Sequence, residues 1–443
     1  ALSSAASDVY KRQLLIARMC SKILRLIGKG ATTFPGKIAL YLKKDILKVL
    51  SQNVRVIMVT GTNGKTTTSR IIEEGLNRAG LDCFLNRSGA NLITGITAAF
   101  IENCDLKGRC KKKYAVIECD ENALKKVSRY IDAEILVVTN IFRDQLDRYG
   151  EVMTTLSSIK QGADNMKNAL LVLNADDPMS FSLSRSGSKY VSFGIDNSLS
   201  LGGKGENEYC VFCHTPYRYS FRTYCQLGGF ECEKCGYKRE KPNYSAVQII
   251  DLFPDYSTVF ADLNGKSALL KVNLAGVYNI YNALAAAAAL SRFGLSVPQI
   301  ENSLSSFGGA FGRMENFGKT RMLLVKNPAG FTQTMSYVSS LKAQNLIFVL
   351  NDNDADGRDV SWIWDAEIVI PQPVKHIYTF GIRSGDMALR LKYAGYSPEI
   401  IKNYSQFYEL TDKDNTVIVP TYTAMMAIRP YLAKKFRKDD FWK

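Results

Sequence analysis

The sequence predicts an α/β protein in which a larger domain carries an inserted zinc ribbon and a smaller Rossmann-like α/β domain follows. Three observations lead to this prediction. The β-prone run Val54–Thr60 passes directly into a glycine-rich loop and a helical pattern. Two Cys-x-x-Cys pairs lie in the middle of the chain. After residue 313, further β-prone runs alternate with helical patterns, which is typical of a second α/β domain.

The loop after the first strand has the composition of a phosphate-binding loop. It reads Gly-Thr-Asn-Gly-Lys-Thr-Thr over Gly61–Thr67. Gly61 and Gly64 permit a tight turn whose N–H groups point at phosphate oxygens. The helix expected to start near Lys65 adds the positive end of its dipole. Lys65 offers a mobile charge to the outer phosphates, and the Thr66 hydroxyl is a suitable ligand for Mg²⁺. Strand, loop and helix in this order predict a nucleotide site.

Three further β-prone runs each end in polar residues. Tyr114–Glu118 is expected to be a buried strand. Its last residue, Glu118, stands where a second Mg²⁺ ligand belongs, at the carboxyl end of a neighbouring strand. Ile135–Asn140 and Leu170–Asn174 are expected to be the next two strands. Any one of these ends could be an ordinary polar cap, but their succession favours a nucleotide-binding α/β domain.

These segments and two later ones resemble, in order, the motifs of the Mur ligases, enzymes that build the peptidoglycan stem peptide through an acyl phosphate. The resemblance extends over about residues 50–315. The segments that carry it are Gly61–Thr67, Glu118, Thr139–Asn140 with Asp144, Gln145 and Asp147, Asn174–Asp177, Gly276–Leu284, and Gly312–Glu315. The resemblance implies a central ATPase domain over residues 51–312.

The resemblance also implies roles for individual residues. ATP would be bound by the loop residues Gly61, Thr62, Asn63, Gly64, Lys65, Thr66 and Thr67. Thr66 and Glu118 would hold Mg²⁺, and Lys65 and Glu118 would act in catalysis. Asn279 would meet the adenine, and Arg313 would reach the nucleotide.

The sequence departs from the family in several places. Mur ligases usually carry histidine at the positions of Gln145 and Tyr278. They also carry a carbamylated lysine before the strand that ends at Asn174, and Lys160 lies near that place but cannot be aligned with it. About forty residues precede the loop strand once residues 1–13, which read as a non-native leader, are set aside. Mur ligases have a domain for a UDP-linked sugar at this place. This chain is therefore not expected to hold a UDP-linked substrate in that manner.

Residues 14–50 form a basic lead-in whose first part has a helical pattern. Basic residues interleave with the apolar ones there. The pattern suits a helix that lies on a membrane surface, and it suits equally well a helix that packs against the next domain.

Four cysteines in the middle of the chain have the spacing of a zinc ribbon. Cys210 and Cys213 are followed, after 18 intervening residues, by Cys232 and Cys235. Two such pairs can close a tetrahedral thiolate shell around Zn²⁺ with no open position, so we expect a structural zinc site. The ribbon is expected as an insertion over residues 205–240. Cys225, between the two pairs, is either spare or a replacement for one of the four ligands. A ribbon that binds nucleic acid is the alternative.

An aspartate-rich segment, Asn351–Asp365, follows a predicted strand of the smaller domain. The spacing of an EF-hand calcium loop is not met, so a solvated acidic turn is one interpretation. The other is that the segment faces a partner protein. Asp356 is then the favoured residue, because Gly357 permits a sharp turn that presents it, and Asp359 is second. Asp356 could instead cap the helix expected near Trp362.

The ribbon, the acidic segment and the short N-terminal region together resemble one branch of the Mur ligase family, the subunit that works with the glutaminase GatD on lipid II. This resemblance implies that residues 313–443 form a C-terminal domain in contact with a GatD-like glutaminase, and that Asp356 orients that partner's catalytic histidine. The implied reaction is ATP-dependent amidation of the α-carboxylate of D-isoglutamate in lipid II to D-isoglutamine. An acyl phosphate would be attacked by ammonia from the glutaminase. ATP, Mg²⁺ and a structural Zn²⁺ are the implied cofactors.

Composition agrees with a globular enzyme that has an anionic partner. The 443 residues are 46% hydrophobic and 22% charged, with a net charge of +15. No apolar run is long enough to span a bilayer, and ten cysteines without a secretion signal favour a reducing compartment. We therefore expect a bacterial cytoplasmic protein at the inner face of the membrane, where lipid II lies, and no nucleic-acid partner. A stand-alone Mur- or folylpolyglutamate-type amino-acid ligase and a zinc-ribbon nucleic-acid-binding ATPase stay open as alternatives.

The chain contains two histidines, His214 beside a cysteine pair and His376 at the start of a predicted strand. Hydrolysis of the glutamine amide usually needs a cysteine or N-terminal nucleophile with a histidine base. Neither histidine has such a setting in the sequence. We therefore predict that the chain does not hydrolyse glutamine and receives ammonia from another subunit.

Overall fold

The computed structural model describes residues 33–86, 89–105, 107–143, 152–196, 208–308, 314–411, 413 and 415–437. The expected leader and the helical pattern of the lead-in lie outside these ranges. Five residues of the family motifs do so as well, namely Asp144, Gln145, Asp147, Gly312 and Arg313.

Helices and strands alternate along most of the described chain. The helices are α1 (Phe34–Leu42), α2 (Ile46–Leu50), α3 (Lys65–Arg78), α4 (Ile93–Asn103), α5 (Glu121–Val127), α6 (Val152–Asn165), α7 (Pro178–Phe181), α8 (Val277–Arg292), α9 (Val297–Ser306), α10 (Pro328–Ser340), α11 (Ser384–Tyr393), α12 (Tyr404–Leu410) and α13 (Tyr422–Lys435). Short 3₁₀ helices lie at Ser182–Ser186 and Ser361–Trp364.

The strands form two larger sheets and one hairpin. They are β1 (Arg55–Thr60), β2 (Cys83–Leu85), β3 (Tyr114–Glu118), β4 (Ile135–Val138), β5 (Leu170–Asn174), β6 (Tyr190–Ile195), β7 (Arg218–Tyr224), β8 (Leu227–Glu231), β9 (Tyr244–Leu252), β10 (Ser257–Leu263), β11 (Ser267–Val272), β12 (Met314–Phe317), β13 (Thr320–Leu323), β14 (Asn345–Val349), β15 (His376–Phe380), β16 (Glu399–Ile400) and β17 (Thr416–Pro420).

The larger sheet has the order β11-β10-β9-β6-β5-β4-β1-β3-β2 in the described part of the chain. The six strands β1 to β6 are parallel, and β9 is parallel to its neighbour β6. Strands β10 and β11 form an antiparallel edge beside β9. Strand β1 lies between β3 and β4, so the chain leaves it in one direction and later returns on its other side. The carboxyl end of β1 is therefore a topological switch point, where open α/β sheets bind ligands.

Helices cover both faces of this sheet, which explains why its central strands are apolar throughout. Ile57 and Val59 of β1 face α3 and the alanine-rich α8. Val56 and Met58 face the opposite layer, which contains α4, α5 and α6. The alanines of α8 allow close packing, and Gly75 of α3 has no room for a Cβ beside Leu290.

The second sheet has the order β12-β13-β17-β14-β15-β16 within the described residues. All neighbours are parallel except β12 and β13, which form a hairpin. Strand β14 lies between β15 and β17, so its carboxyl end is the switch point of this sheet. The sheet begins at Met314, just after the residues that are not described.

The structure confirms the four predicted strands of the central domain as β1, β3, β4 and β5, with shifts of at most two residues at their ends. It also confirms that strands alternate with helices after residue 313. It adds elements that the sequence analysis did not predict, namely β2, β6, the antiparallel β9–β11 and the short strands β12 and β16. Every helix among the described residues is too short or too polar to cross a membrane.

Candidate active site

The loop between β1 and α3 turns tightly at two glycines. Gly61 and Gly64 have φ values of 118° and 87°, which favour glycine. Both are also pressed against other parts of the protein, because a Cβ on Gly64 would overlap Asn282 and one on Gly61 would overlap Thr139. The helix begins at Lys65 as predicted, and no side chain caps it at Gly64.

The loop is held in place by the residues that follow β4. The N–H groups of Thr62 and Asn63 donate to the backbone oxygen and the Oδ1 of Asn140, at 2.8 and 2.9 Å. The Thr139 hydroxyl donates to the backbone oxygen of Asn63 at 2.7 Å. These N–H groups are therefore engaged within the protein. A phosphate would therefore be met by the first turn of α3, the end of the helix that favours an anion.

Lys65 is buried and ion-paired with Glu121. Its Nζ lies 2.7 Å from Glu121 Oε1 and also donates to the backbone oxygen of Gly61 at 2.5 Å. Burial by itself would lower the pKa of Lys65, but the charges of Glu121, Glu118 and Asp120 outweigh it and raise that pKa. Lys65 therefore carries its charge. Glu121 was not predicted as a site residue from the sequence. Its position just after the strand end at Glu118 indicated that it could lie near the phosphate-binding loop.

The two residues expected to hold Mg²⁺ lie at the end of β3 and in the helix that follows the neighbouring strand β1. Glu118 pairs with Val59 across the β1–β3 ladder, and Thr66 follows the loop in the first turn of α3. Both side chains are buried, with 4% and 3% of their surface exposed. A carboxylate and a hydroxyl are ligands that Mg²⁺ prefers, so these two residues fit the ion.

The first turns of α8 reach the same place. Asn282 donates through Nδ2 to Asn279 Oδ1 at 3.0 Å, and Asn279 donates to the backbone oxygen of Ala275 at 2.7 Å. Asn282 also lies 3.4 Å from the Thr68 hydroxyl of α3. These asparagines bring the start of α8 against the loop. The structure thus places Asn279 beside the predicted nucleotide site.

A cavity of about 380 Å³ opens next to this loop, between the two larger sheets. From the central domain it is lined by Asn63, Gly64 and Thr67 of the loop and by Asn279 and Tyr278 of α8, among others. From the C-terminal domain it is lined by residues that include Lys326, Gly330, Gln333 and Thr334. The Tyr278 ring stands where the family usually has histidine, and it belongs to the cavity wall. Lys160 lies exposed on α6 instead.

Three contacts join the domains around this cavity. Asn327 Nδ2 donates to Asn63 Oδ1 at 3.0 Å, which ties the start of α10 to the phosphate-binding loop. Arg321 pairs with Asp255 at 3.1 Å, and the Tyr337 hydroxyl of α10 donates to the backbone oxygen of Pro254 at 2.5 Å. The start of α10, where Asn327 is the N-cap, therefore contributes directly to the candidate site.

The four ribbon cysteines converge as the spacing predicts. The Sγ atoms of Cys210, Cys213, Cys232 and Cys235 lie within 4.8 Å of one another, and Cys225 is not among them. Cys213 and Cys232 are 3.4 Å apart, and Cys210 and Cys235 are 3.5 Å apart. A tetrahedral zinc shell with Zn–S bonds of about 2.3 Å needs sulfurs roughly 3.8 Å apart. The donor set therefore fits a structural Zn²⁺.

The two cysteine pairs have the same backbone geometry. His214 and Gly236, which follow the second cysteine of each pair, have φ values of 57° and 69°. Their N–H groups donate to the backbone oxygens of Cys210 and Cys232, both at 2.9 Å. Each pair thus forms a tight knuckle that aims two sulfurs at one point. His214 serves this turn and is not placed as a catalytic base.

Asp356 is buried against the start of α13. Its Oδ1 accepts the N–H of Thr423 at 2.7 Å, and its Oδ2 accepts the Thr423 hydroxyl. The alternative that Asp356 caps the helix near Trp362 is therefore wrong. The N-cap of that short 3₁₀ helix is Val360, and the nearby Asp359 Oδ1 accepts the N–H of Ser361 at 2.8 Å. Burial raises the pKa of Asp356, although the bonds from Thr423 oppose this.

Comparison with known proteins agrees with this arrangement. The model of the Mur ligase middle domain matches residues 59–290, and that of the MurT ligase C-terminal domain matches residues 324–425. The chain is 35% identical over 437 residues to the lipid II isoglutaminyl synthase (glutamine-hydrolyzing) subunit MurT of Staphylococcus aureus strain COL, covering 95% of this chain and 97% of that protein. The chain belongs to the MurT family.

Another MurT subunit, from Streptococcus pneumoniae strain ATCC BAA-255 / R6, is 34% identical over 438 residues, covering 95% of this chain and 96% of that protein. Among solved structures, pseudomurein peptide ligase type C from Methanothermus fervidus has the same fold, with a TM-score of 0.68 and 24% identity, covering 88% of this chain and 80% of that chain. The MurT and Mur ligase relationships confirm the predicted fold class. They also count against a nucleic-acid-binding ATPase.

Proposed function

We propose that this chain is the ATP-dependent subunit of a glutamine-hydrolysing lipid II isoglutaminyl synthase. The observation that carries this proposal is the match to MurT subunits over 95% of the chain, which takes in both domains. The cavity beside the phosphate-binding loop supports it, because residues of both domains line that cavity and could hold ATP and a second substrate together.

The reaction would proceed in two steps, formation of an acyl phosphate and its attack by ammonia. An oxygen of the α-carboxylate of D-isoglutamate in lipid II attacks the γ-phosphorus of ATP, and ADP leaves. Ammonia then attacks the carbonyl carbon of the acyl phosphate, and inorganic phosphate leaves as a proton is lost from nitrogen. The products are D-isoglutamine, ADP and phosphate.

The residues around the loop would provide positioning and charge for the first step. Gly61 to Thr67 would surround the phosphates, with the first turn of α3 directing N–H groups at them. Lys65, charged and fixed by Glu121, would balance negative charge near the transferring group. Mg²⁺, held by Thr66 and Glu118, supplies further positive charge when bound. Asn279 would meet the adenine, and Arg313, outside the described residues, would reach the nucleotide.

Ammonia would come from a GatD-like glutaminase bound as a second subunit. Of the two histidines, His214 lies in a cysteine knuckle and His376 stacks on Tyr378 at the start of β15. We propose that Asp356 faces the glutaminase and orients its catalytic histidine, the third role in a catalytic triad. Thr423 holds the Asp356 carboxylate in one orientation, which supports this role, and Asp359 is the second candidate.

The substrate would be met at the inner face of the bacterial membrane. Lipid II carries a pyrophosphate on an anionic membrane, and the net charge of +15 favours approach to such a surface. This location is part of the proposal.

Mass spectrometry of lipid II tests the proposal. The zinc-loaded chain, given ATP, lipid II and a high concentration of ammonium, should produce the amidated stem peptide. The same mixture with glutamine in place of ammonium should produce none until a glutaminase partner is added. ATP hydrolysis that depends on DNA, RNA or folate instead of lipid II would contradict the assignment, and glutamine turnover by the lone chain would contradict the need for a partner.

A further inference from the structure

The cysteine ribbon touches the nucleotide site through one turn. The hairpin β7–β8 extends from the cysteine knuckles to the turn Tyr224–Leu227, which inserts beside the residues that follow β4. Tyr224 lines the cavity next to the phosphate-binding loop. Tyr224 and Gln226 are both buried, at 4% and 0% exposure, so this turn is part of the domain core.

Gln226 holds the backbone that follows β4 from one side. Its Nε2 donates to the backbone oxygen of Ile141 at 3.0 Å. On the other side, the Ile141 N–H donates to Asp177 Oδ2 at 2.7 Å. Both polar groups of this peptide backbone are therefore fixed, one by the ribbon turn and one by the carboxylate after β5. All of these groups are buried, where a lost hydrogen bond is expensive.

Phe142, the next residue, connects this segment to the loop. The Phe142 N–H donates to the Thr62 hydroxyl at 3.0 Å, and that hydroxyl lies 3.1 Å from the Phe142 backbone oxygen. The Phe142 ring stacks on Tyr224, with centroids 6.0 Å apart and planes 20° apart. A continuous path of contacts thus runs from the ribbon turn, through Ile141 and Phe142, to Thr62 of the phosphate-binding loop.

A second path reaches α8, which carries Asn279 and Asn282. The Tyr281 hydroxyl donates to Asp176 Oδ2 at 2.6 Å and lies 2.7 Å from the Thr223 hydroxyl of β7. Arg239, at the end of the ribbon, pairs with Asp176 Oδ1 at 2.6 Å. Asp176 is fully buried and therefore needs these partners. The ribbon thus packs against two of the elements that form the nucleotide site.

We propose that the ribbon hairpin is a positioning element of the ATP site, with Tyr224 and Gln226 holding Ile141 and Phe142 so that Thr62 sets the shape of the phosphate-binding loop. The inference rests on the proposed function in that the ligand is ATP. This role is additional to metal binding and folding of the ribbon. It also explains why the turn Tyr224–Leu227 packs against the residues that follow β4.

Variants of the zinc-loaded full chain test this by calorimetric titration with ATP and Mg²⁺. Tyr224→Leu removes the ring that stacks on Phe142, and Gln226→Ala removes the bond to Ile141. Each should raise the dissociation constant for ATP about tenfold, the equivalent of one well-placed interaction. In the amidation assay, the KM for ATP should rise while the KM for ammonium stays unchanged.

Two matched variants separate positioning from general stability. Tyr224→Phe keeps the stacked ring and should bind ATP like the unaltered chain. Phe230→Leu makes the same aromatic-to-leucine change as Tyr224→Leu, but in the ribbon core, where Phe230 packs on Tyr217 and Tyr237. It should lower the melting temperature without weakening ATP binding. Zinc content, measured for every variant, should equal one per chain.

Hydrogen exchange provides a second readout that does not depend on activity. Gln226→Ala should speed exchange in the peptide that contains Ile141 and Phe142 and in the loop peptide around Thr62. Unchanged ATP affinity in folded Tyr224→Leu and Gln226→Ala proteins would overturn the inference alone. Equal weakening by Phe230→Leu would also overturn it, since the ribbon would then act only through stability. Failure of the unaltered chain to bind ATP would overturn the proposed function and this inference with it.

Discussion

The two larger sheets each place a polar loop at their switch point, and the two loops have opposite environments. The loop after β1 lies between the ends of β3 and β4, and the loop after β14 lies between the ends of β15 and β17. Both loops contain a glycine with positive φ, Gly64 at 87° and Gly357 at 87°. From the local pattern alone, either could be a ligand site.

The helix N-termini near the two loops account for the difference. The start of α3 has no side-chain cap, and Gly64 and Thr67 border the cavity, so a phosphate in the cavity would lie at the positive end of this helix. The start of α13 already has an anion, because the Asp356 carboxylate accepts the Thr423 N–H. Asn353 also donates to the Thr423 hydroxyl at 2.8 Å, so the protein's own side chains occupy the start of this helix. A helix N-terminus binds an external anion only where the fold leaves it open.

The largest effect is expected from Lys65→Ala in the first loop. The amidation rate with ATP and ammonium should fall about 10³-fold or more, because a charge next to the transferring phosphate is lost. The variant also leaves Glu121 buried without its partner, which costs about 3 to 5 kcal/mol of unfolding free energy. Amidation measured by mass spectrometry and unfolding by denaturant titration check the two parts.

The double variant Lys65→Met with Glu121→Gln separates chemistry from stability. It removes both buried charges and should recover most of the lost unfolding free energy while staying inactive. Near-normal amidation by either folded variant would remove Lys65 from the ATP site.

Loss of the ribbon metal should affect the first loop and leave the second intact. Cys213→Ser removes one of the four converging sulfurs and should abolish tight zinc binding, at a cost of about 4 kcal/mol or more to the central domain. Hydrogen exchange should then increase around Thr62 and Ile141 but not around Asp356. Metal analysis that finds no zinc in the unaltered chain, purified without chelator, would refute the zinc site.

Asp356→Asn tests whether the second loop serves a partner. In the complex with a glutaminase, it should lose glutamine-driven amidation by about 10²-fold or more, because the partner's histidine loses its orienting carboxylate. Ammonium-driven amidation and partner binding should remain. The weaker cap on α13 should cost about 1 kcal/mol of stability.

Asp359→Asn is the matched control for this prediction. Asp359 is on the same loop, where its Oδ1 accepts the N–H of Ser361, and it does not share the Thr423 bonds of Asp356. Its change should be silent if Asp356 has the orienting role. Loss of ammonium-driven amidation in Asp356→Asn would place that residue in the synthetase site instead.

The last prediction, which concerns stability alone, is a pH dependence that comes from Asp177 after β5. Burial raises the pKa of Asp177 from 3.8 to about 6, despite the N–H groups that donate to it. Because the folded pKa lies above the unfolded one, the stabilising contribution is complete below about pH 4 and disappears as the pH rises through about 6. The loss amounts to about 3 kcal/mol at most.

Asp177→Asn cannot titrate, so its unfolding free energy should vary less between pH 4 and 6 than that of the unaltered chain. Denaturant titrations across this range measure the difference. The pKa of Asp356 is also raised by burial, so Asp356→Asn should change the pH profile in the same direction. Parallel profiles for the unaltered chain and Asp177→Asn would contradict the prediction.

The sequence by itself determined the elements whose physics is local. The β-prone runs, the glycines of the loop, the helix start at Lys65 and the cysteine spacing all follow from the conformations and ligands that those residues favour over a few positions. For this reason the strands and the four-cysteine cluster could be predicted, and the order of the motifs was enough to indicate the family.

Only the tertiary structure decided which distant residues meet. The pairing of Lys65 with Glu121, the contact of Asn327 with Asn63, and the position of Gln226 against Ile141 join segments 56, 264 and 85 residues apart. The same is true of Asp356, whose partner Thr423 follows a strand 67 residues further along. Sheet order brings these side chains together, and local sequence patterns contain no information on sheet order. Burial then makes each such pairing decisive, because a polar group removed from water must find its partner within the fold.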